Sequence, residues 1–187
     1  MVKFYDIFDR FSILHFLWGT LLYIFFYNIA IKQKIKNKVL FSILFSVFFH
    51  SLYEIKDILS NVQEFKENGE KIAVLIFGKE WAAFDVKNPT ENSFGDQIVF
   101  VLGIFTGILF SLNTKINLIK LGFIIFLTIE FILFLILIIG PPNTKSVISK
   151  SEEKANAKLT DVFYFLIFTF VLIMPFFFIK IKVKKQN

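Results

Sequence analysis

Cysteine is absent from this 187-residue chain, and histidine and tryptophan occur only twice each. The missing thiols exclude disulfides, thiolate metal sites and cysteine nucleophiles together, and they leave the redox compartment open. Other signatures are missing as well. There is no H-E-x-x-H pair, no G-x-S-x-G elbow and no repeat at the period of a solenoid or propeller. No basic run is interleaved with exposed aromatics, so a nucleic-acid partner is not expected. The first residues, MVKFYDIFDR, carry two acids and lead into an apolar run without a small-residue cleavage site, so a removable signal peptide is not expected either.

Apolar residues make up 56% of the chain and the mean hydropathy is +0.66, more than a soluble core of this length requires. The bilayer is therefore the expected solvent. The 28 phenylalanines, with abundant Ile, Lys and Asn, read as codon bias acting on tolerated positions rather than as an aromatic cofactor site.

Five apolar stretches suit membrane helices: about 11–31, 39–55, 95–112, 116–139 and 162–179. Gly140-Pro141-Pro142 should end the fourth, Thr160 or Asp161 should cap the fifth, and Pro175 should kink it. The polar 56–96 segment forms an expected external cap, within which the short apolar run 72–77 and Trp81 suit an interfacial segment better than a strand. The expected fold is an all-α bundle of five transmembrane helices forming a single domain.

Lysine orients the bundle. Residues 32–38, the 113–120 turn and the C-terminal tail carry ten lysines and no acid, whereas fourteen of the fifteen acids fall on the other side or at helix mouths facing it. The lysine side should be cytoplasmic, with the N-terminus outside and the C-terminus inside. The final KKQN also matches a dilysine retrieval pattern, which a positive-inside tail in a Lys-rich chain explains equally well.

This orientation gathers polar groups in one leaflet. His15 lies at the outer mouth of the first span, His50 and Glu54 share one helical face of the second at i, i+4, and Asn92, Ser93 and Asp96 open the third. Glu130 sits in the fourth, where a charge at mid-membrane costs roughly 2.5–3.5 kcal/mol and should turn inward. His15, His50, Glu54, Asp96 and Glu130 are thus the candidate site residues, as a proton, ion or headgroup site or as interhelical hydrogen bonds. Their types also suit a divalent metal, but without a ligand motif neither a metal nor another cofactor is expected. Ser12 and Ser93 could each approach a histidine, and serines at helix mouths are usually caps. On the third span, Gly103, Gly107 and Ser111 repeat every four residues as a close-packing face, seating the first or fourth span or a partner chain.

The run Asp9-Arg10-Phe11-Ser12-Ile13-Leu14-His15-Phe16 followed by Gly19, the HSLYE of His50 to Glu54, and Asn92-Ser93-Phe94-Gly95-Asp96 followed by Gly103 together resemble VanZ-like membrane proteins and a related uncharacterised bacterial inner-membrane family. Glu130 matches an acid in the fourth helix of those relatives. The resemblance covers about residues 9–140. It implies a helical bundle in a bacterial inner membrane with its polar cluster outward, in a family whose namesake is associated with resistance to teicoplanin-type glycopeptides. It implies no catalytic residue.

Two functions fit these observations. The first is a non-enzymatic integral membrane protein, an accessory or structural subunit of an envelope complex that contacts lipids, other membrane proteins or its own copies. The alternative is an intramembrane enzyme or an ion- or proton-handling protein acting at the outer leaflet on a lipid headgroup or lipid-linked substrate.

Overall fold

The computed structural model describes residues 12–60, 89–113, 115–139 and 158–178. Among these residues five helices follow in order: α1 (Ser12–Lys32), α2 (Lys38–Ser60), α3 (Pro89–Leu112), α4 (Leu118–Ile139) and α5 (Leu159–Phe178). No strand occurs among the described residues. Segments of α1, α2, α3 and α5 are each long and apolar enough to cross a membrane, which makes this an integral, multi-pass membrane protein. The expectations for 72–77, Trp81, the Gly140-Pro141-Pro142 terminator, Asp9, Arg10 and the lysine tail lie outside the described residues.

Side chains and turns punctuate the helices. α1 closes with a Schellman turn in which Ile35 N–H donates to Ala30 O at 2.9 Å and Lys34 N–H to Ile31 O at 3.1 Å. Lys34 takes the left-handed position of that turn, at φ 53°. Asn37 Oδ1 then caps α2 through Leu40 N–H at 3.2 Å. Asn117 does the same for α4 through Ile119 and Lys120 N–H, both at 3.1 Å. On α5, Asp161 Oδ2 reaches back to accept Lys158 N–H at 2.9 Å and also accepts the Thr90 hydroxyl of α3 at 3.3 Å. Pro175 lies inside α5, near its end.

Two boundaries differ from the sequence reading. α2 continues past 55 to Ser60, and α3 begins at Pro89 rather than at Gly95. Proline is well suited to a first helical turn, where its missing N–H would have no partner. The polar residues Thr90, Asn92, Ser93 and Asp96 therefore ride on helix α3 itself, and the segment between α2 and α3 is confined to 61–88.

α1 is the hub. It packs most extensively against α3 and also touches α2 and α4, while α5 rests on α2 and α3. A Cβ built on Gly19 would fall onto the carbonyl oxygen of Phe100, and one built on Gly103 onto that of Phe16. The two backbones therefore meet directly, as small-residue crossings allow in a bilayer, where burying apolar surface gives no drive to associate. Thr20 reinforces the crossing by donating its hydroxyl to Gly103 O at 2.9 Å. Next along the same face, Gly107 accepts the ring of Tyr23, whose hydroxyl reaches Ser111 Oγ at 3.2 Å. Ser111 Oγ in turn donates to Ile108 O at 2.8 Å. The Gly103, Gly107 and Ser111 face is therefore occupied by α1 of the same chain.

Candidate functional site

Three helix ends converge on the side of the bundle away from the 33–37 connection: the start of α1, the last turns of α2 and the start of α3. α1 supplies Ser12 and His15; α2 supplies His50, Ser51 and Glu54; α3 supplies Asn92, Ser93, Asp96 and Gln97. Of these, all but His15 are buried, and Glu54 retains only 1% of its exposure. A carboxyl group placed so deeply needs compensating partners.

The i, i+4 spacing directs His50 and Glu54 to the same face of α2, with His50 Nε2 3.3 Å from Glu54 Oε1. His15 enters from α1 and places Nδ1 2.8 Å from His50 Nε2 and 3.4 Å from Glu54 Oε1. Its other nitrogen, Nε2, lies 3.5 Å from Asp96 Oδ2. Asp96 is itself anchored, since its Oδ1 accepts the Ser12 hydroxyl at 2.9 Å and its Oδ2 accepts Asn92 Nδ2 at 2.6 Å. Ser93 supplies a side-chain hydrogen bond to the Glu54 carboxyl. Ser12 and Ser93 thus each serve a carboxyl group.

His50 is the most constrained member. Its ring stacks on Phe100 with centroids 3.8 Å apart, and its Nδ1 lies 2.7 Å from Gln97 Oε1. Gln97 Nε2 points to Ser51 Oγ at 3.5 Å, so the amide oxygen accepts from His50 Nδ1–H. That assignment leaves His50 Nε2 with a lone pair directed at His15 and Glu54. Glu54 Oε1 is buried and has no hydrogen-bond partner among the described residues. Among the described residues, His15, His50 and Glu54 form the one group of three His, Asp or Glu side chains that could hold a metal ion, with their ligand atoms all within 4.8 Å of one another. The sequence reading expected no metal because no motif links the three positions. The folded chain supplies the grouping by bringing α1 against α2 instead, with Asp96 of α3 beside it.

Beyond His15, the Tyr53 ring centroid lies 6.3 Å away. Lys56 Nζ sits 4.1 Å from that Tyr53 centroid and pairs with Asp57. A cation and an amphipathic ring therefore stand near His15 toward the end of α2.

The expectation that Glu130 turns inward is corrected. α4 seats Gly122, Ile125 and Ile129 against the bundle, and these positions repeat at i, i+3 and i+7. Glu130 is one residue, or about 100°, around the helix from Ile129 and is exposed. It does not join His15, His50, Glu54 and Asp96. Gln97 and Ser51 are members of the polar network absent from the sequence reading, and Thr20 is a polar member of the α1–α3 crossing that it also lacks. Uncharged polar residues inside apolar helices carry little signal until a partner helix is placed.

No protein-family model matches the chain, and no curated protein or solved structure matches it.

Proposed function

We propose that this is a five-span membrane protein, N-terminus outside, whose His15, His50, Glu54 and Asp96 form a working centre at the outer leaflet for a lipid headgroup or lipid-linked substrate. The hydrophobic α4, 22 residues long, is the fifth span in this reading. The ten lysines of the opposite side keep that side cytoplasmic. The observation that carries the proposal is Glu54 Oε1, buried and without a hydrogen bond, facing two histidine nitrogens. A network that merely glues helices together would satisfy such an atom, because an orphaned buried acceptor costs about 1–3 kcal/mol. The α1–α3 crossing, moreover, has its own means of association in Gly19, Gly103 and Thr20. Tyr53 and Lys56 would meet an anionic headgroup beside the centre.

The resemblance to VanZ-like proteins belongs with this reading, because His15, Glu54 and Asp96, which carry it in α1, α2 and α3, lie in the cluster, and its Gly19 and Gly103 are the crossing. The test is lipid turnover. Full-length protein in nanodiscs made from a bacterial lipid extract should change the headgroup composition seen by mass spectrometry, and His50→Ala and Asp96→Asn protein of unchanged helicity should not. Identical lipid profiles for the active chain and both variants would remove the catalytic reading.

The accessory-subunit reading draws on a different observation, Glu130. An exposed carboxylate inside a span is costly against lipid, and a partner helix covering that face of α4 would shelter it. Photo-crosslinking from position 130 should then capture a protein. Crosslinks to lipid alone would count against a subunit role.

A further inference from the structure

The half-satisfied cluster of His15, His50 and Glu54 has a donor geometry of its own. His15 Nδ1, His50 Nε2 and Glu54 Oε1 are separated by 2.8, 3.4 and 3.3 Å. A tetrahedral ion with bonds of about 2.0–2.2 Å spaces its ligand atoms by about 3.4 Å. The triangle is thus close to one face of such a coordination shell, and small rotamer shifts would complete it.

The outer partners point the same way. Gln97 Oε1 accepts His50 Nδ1–H, which leaves the Nε2 lone pair turned inward. Asp96 Oδ2 lies beside His15 Nε2 and favours the tautomer with the proton there, so that His15 Nδ1 is also unprotonated. Two lone pairs facing each other at 2.8 Å repel unless something positive lies between them. With the protons placed otherwise, His15 Nδ1–H can donate to His50 Nε2, but Glu54 Oε1 still lacks a donor. A cation satisfies all three atoms at once. A metal-bound histidine that donates its second N–H to a carboxylate or amide oxygen is the usual second layer of a metal centre.

We propose that His15 Nδ1, His50 Nε2 and Glu54 Oε1 bind one divalent transition-metal ion, zinc by preference, with Gln97 and Asp96 as positioning residues for the two imidazoles. Two imidazole nitrogens and one carboxylate oxygen suit zinc, cobalt or manganese, whereas magnesium and calcium favour all-oxygen shells. Three protein ligands leave a fourth position for water or substrate, the pattern of catalytic rather than structural zinc. That last step rests on the outer-leaflet working centre proposed above; the binding site itself does not.

Cobalt chloride titrated into chelator-stripped, full-length protein in mild detergent tests the proposal. One equivalent should bind and give the intense visible bands of a tetrahedral nitrogen/oxygen site, and zinc chloride should abolish them. Glu54→Gln and His50→Ala should lose the bands. Gln97→Ala, which keeps all three donors, should retain the bands with affinity weakened about 10–100-fold. If a ligand variant fails to fold by circular dichroism, the unaltered chain and Gln97→Ala still decide. Absence of saturable cobalt binding by the unaltered chain, or binding undiminished in every folded variant, overturns the site. Binding without lipid turnover would keep the metal site and remove the catalytic reading. Turnover that needs His50 in a chain binding no metal would do the reverse.

Discussion

Gly19 of α1 and Gly103 of α3 face each other at a crossing where a methyl group on either would enter a carbonyl of the opposite helix, Phe100 O or Phe16 O. About one turn toward the mouth of α1 and two toward that of α3, the same pair of helices presents His15 and Asp96 to each other at 3.5 Å. The glycine contact thus sets the spacing at which the polar groups meet, and packing and chemistry on this face are coupled.

Substitution at the crossing should be graded by what the new atom meets. Gly19→Ala and Gly103→Ala push against backbone, which cannot rotate away, and should cost at least the roughly 1–3 kcal/mol typical of overpacking. At Gly107, a Cβ would meet the Tyr23 ring at 2.7 Å, and a ring can tilt, so Gly107→Ala should cost less. Gly122→Ala meets Ile24 Cγ2 at 3.4 Å and exchanges a poor helix former for the best one, so it should be neutral or stabilising. Thermal unfolding in detergent gives the order.

Thr20→Val removes the hydroxyl that donates to Gly103 O while keeping the shape. Interhelical hydrogen bonds in membranes average about 0.6 kcal/mol and reach about 1.7, and this variant should fall in that range. A fall in stability as large as that of Gly103→Ala would mean that the hydroxyl, rather than the backbone approach, holds the helices.

Lys34 occupies a left-handed backbone position that costs an L-residue roughly 1–2 kcal/mol. Lys34→Gly should therefore leave the melting temperature unchanged or raise it, and Lys34→Val should lower it. Lys34→Arg should match the unaltered chain.

Native cysteine is absent, so single-cysteine labelling reports topology without background. Lys34→Cys and Asn113→Cys should react with an impermeant maleimide only after the cytoplasmic side is opened, and Asn68→Cys should react from outside. The reverse pattern would turn the cluster of His15, His50, Glu54 and Asp96 to the cytoplasmic leaflet.

Glu130→Gln alters a group on the exposed face of α4, a helix whose substantial contacts among the described elements are with α1. It should leave cobalt affinity unchanged, whereas Asp96→Asn, beside His15 Nε2, should weaken it about 10–100-fold. Equal effects of the two variants would mean that Glu130 reaches the cluster.

Much of this arrangement is legible in the sequence, and the unread part has physical reasons. The i, i+4 pair of His50 and Glu54 follows from helix geometry, and the small-residue repeat at Gly103, Gly107 and Ser111 marks a face for close approach. That Gly19 is the opposing surface requires knowing which helix lies opposite. The lysine asymmetry places His15, His50, Glu54 and Asp96 in one leaflet, but it does not say that three donor atoms converge within a few ångströms. Gln97 was invisible because an amide in an apolar helix acquires meaning only when His50 stacks beside it on Phe100. Glu130 misled because insertion cost says that a charge should be sheltered, while the packing stripe of Gly122, Ile125 and Ile129 decides which face is buried. The polar start of α3 reads as the end of the external cap because hydropathy falls there, although Pro89 is a good first helical residue.

The most direct measurement is X-ray absorption at the zinc edge on zinc-loaded, full-length protein. Imidazole scattering from two histidines with two oxygens, one carboxylate and one water, at about 2.0–2.2 Å would place the ion among His15, His50 and Glu54, and this two-histidine signature should be lost in His50→Ala. A shell of oxygen scatterers alone, or an edge spectrum indifferent to His50→Ala, would contradict the account.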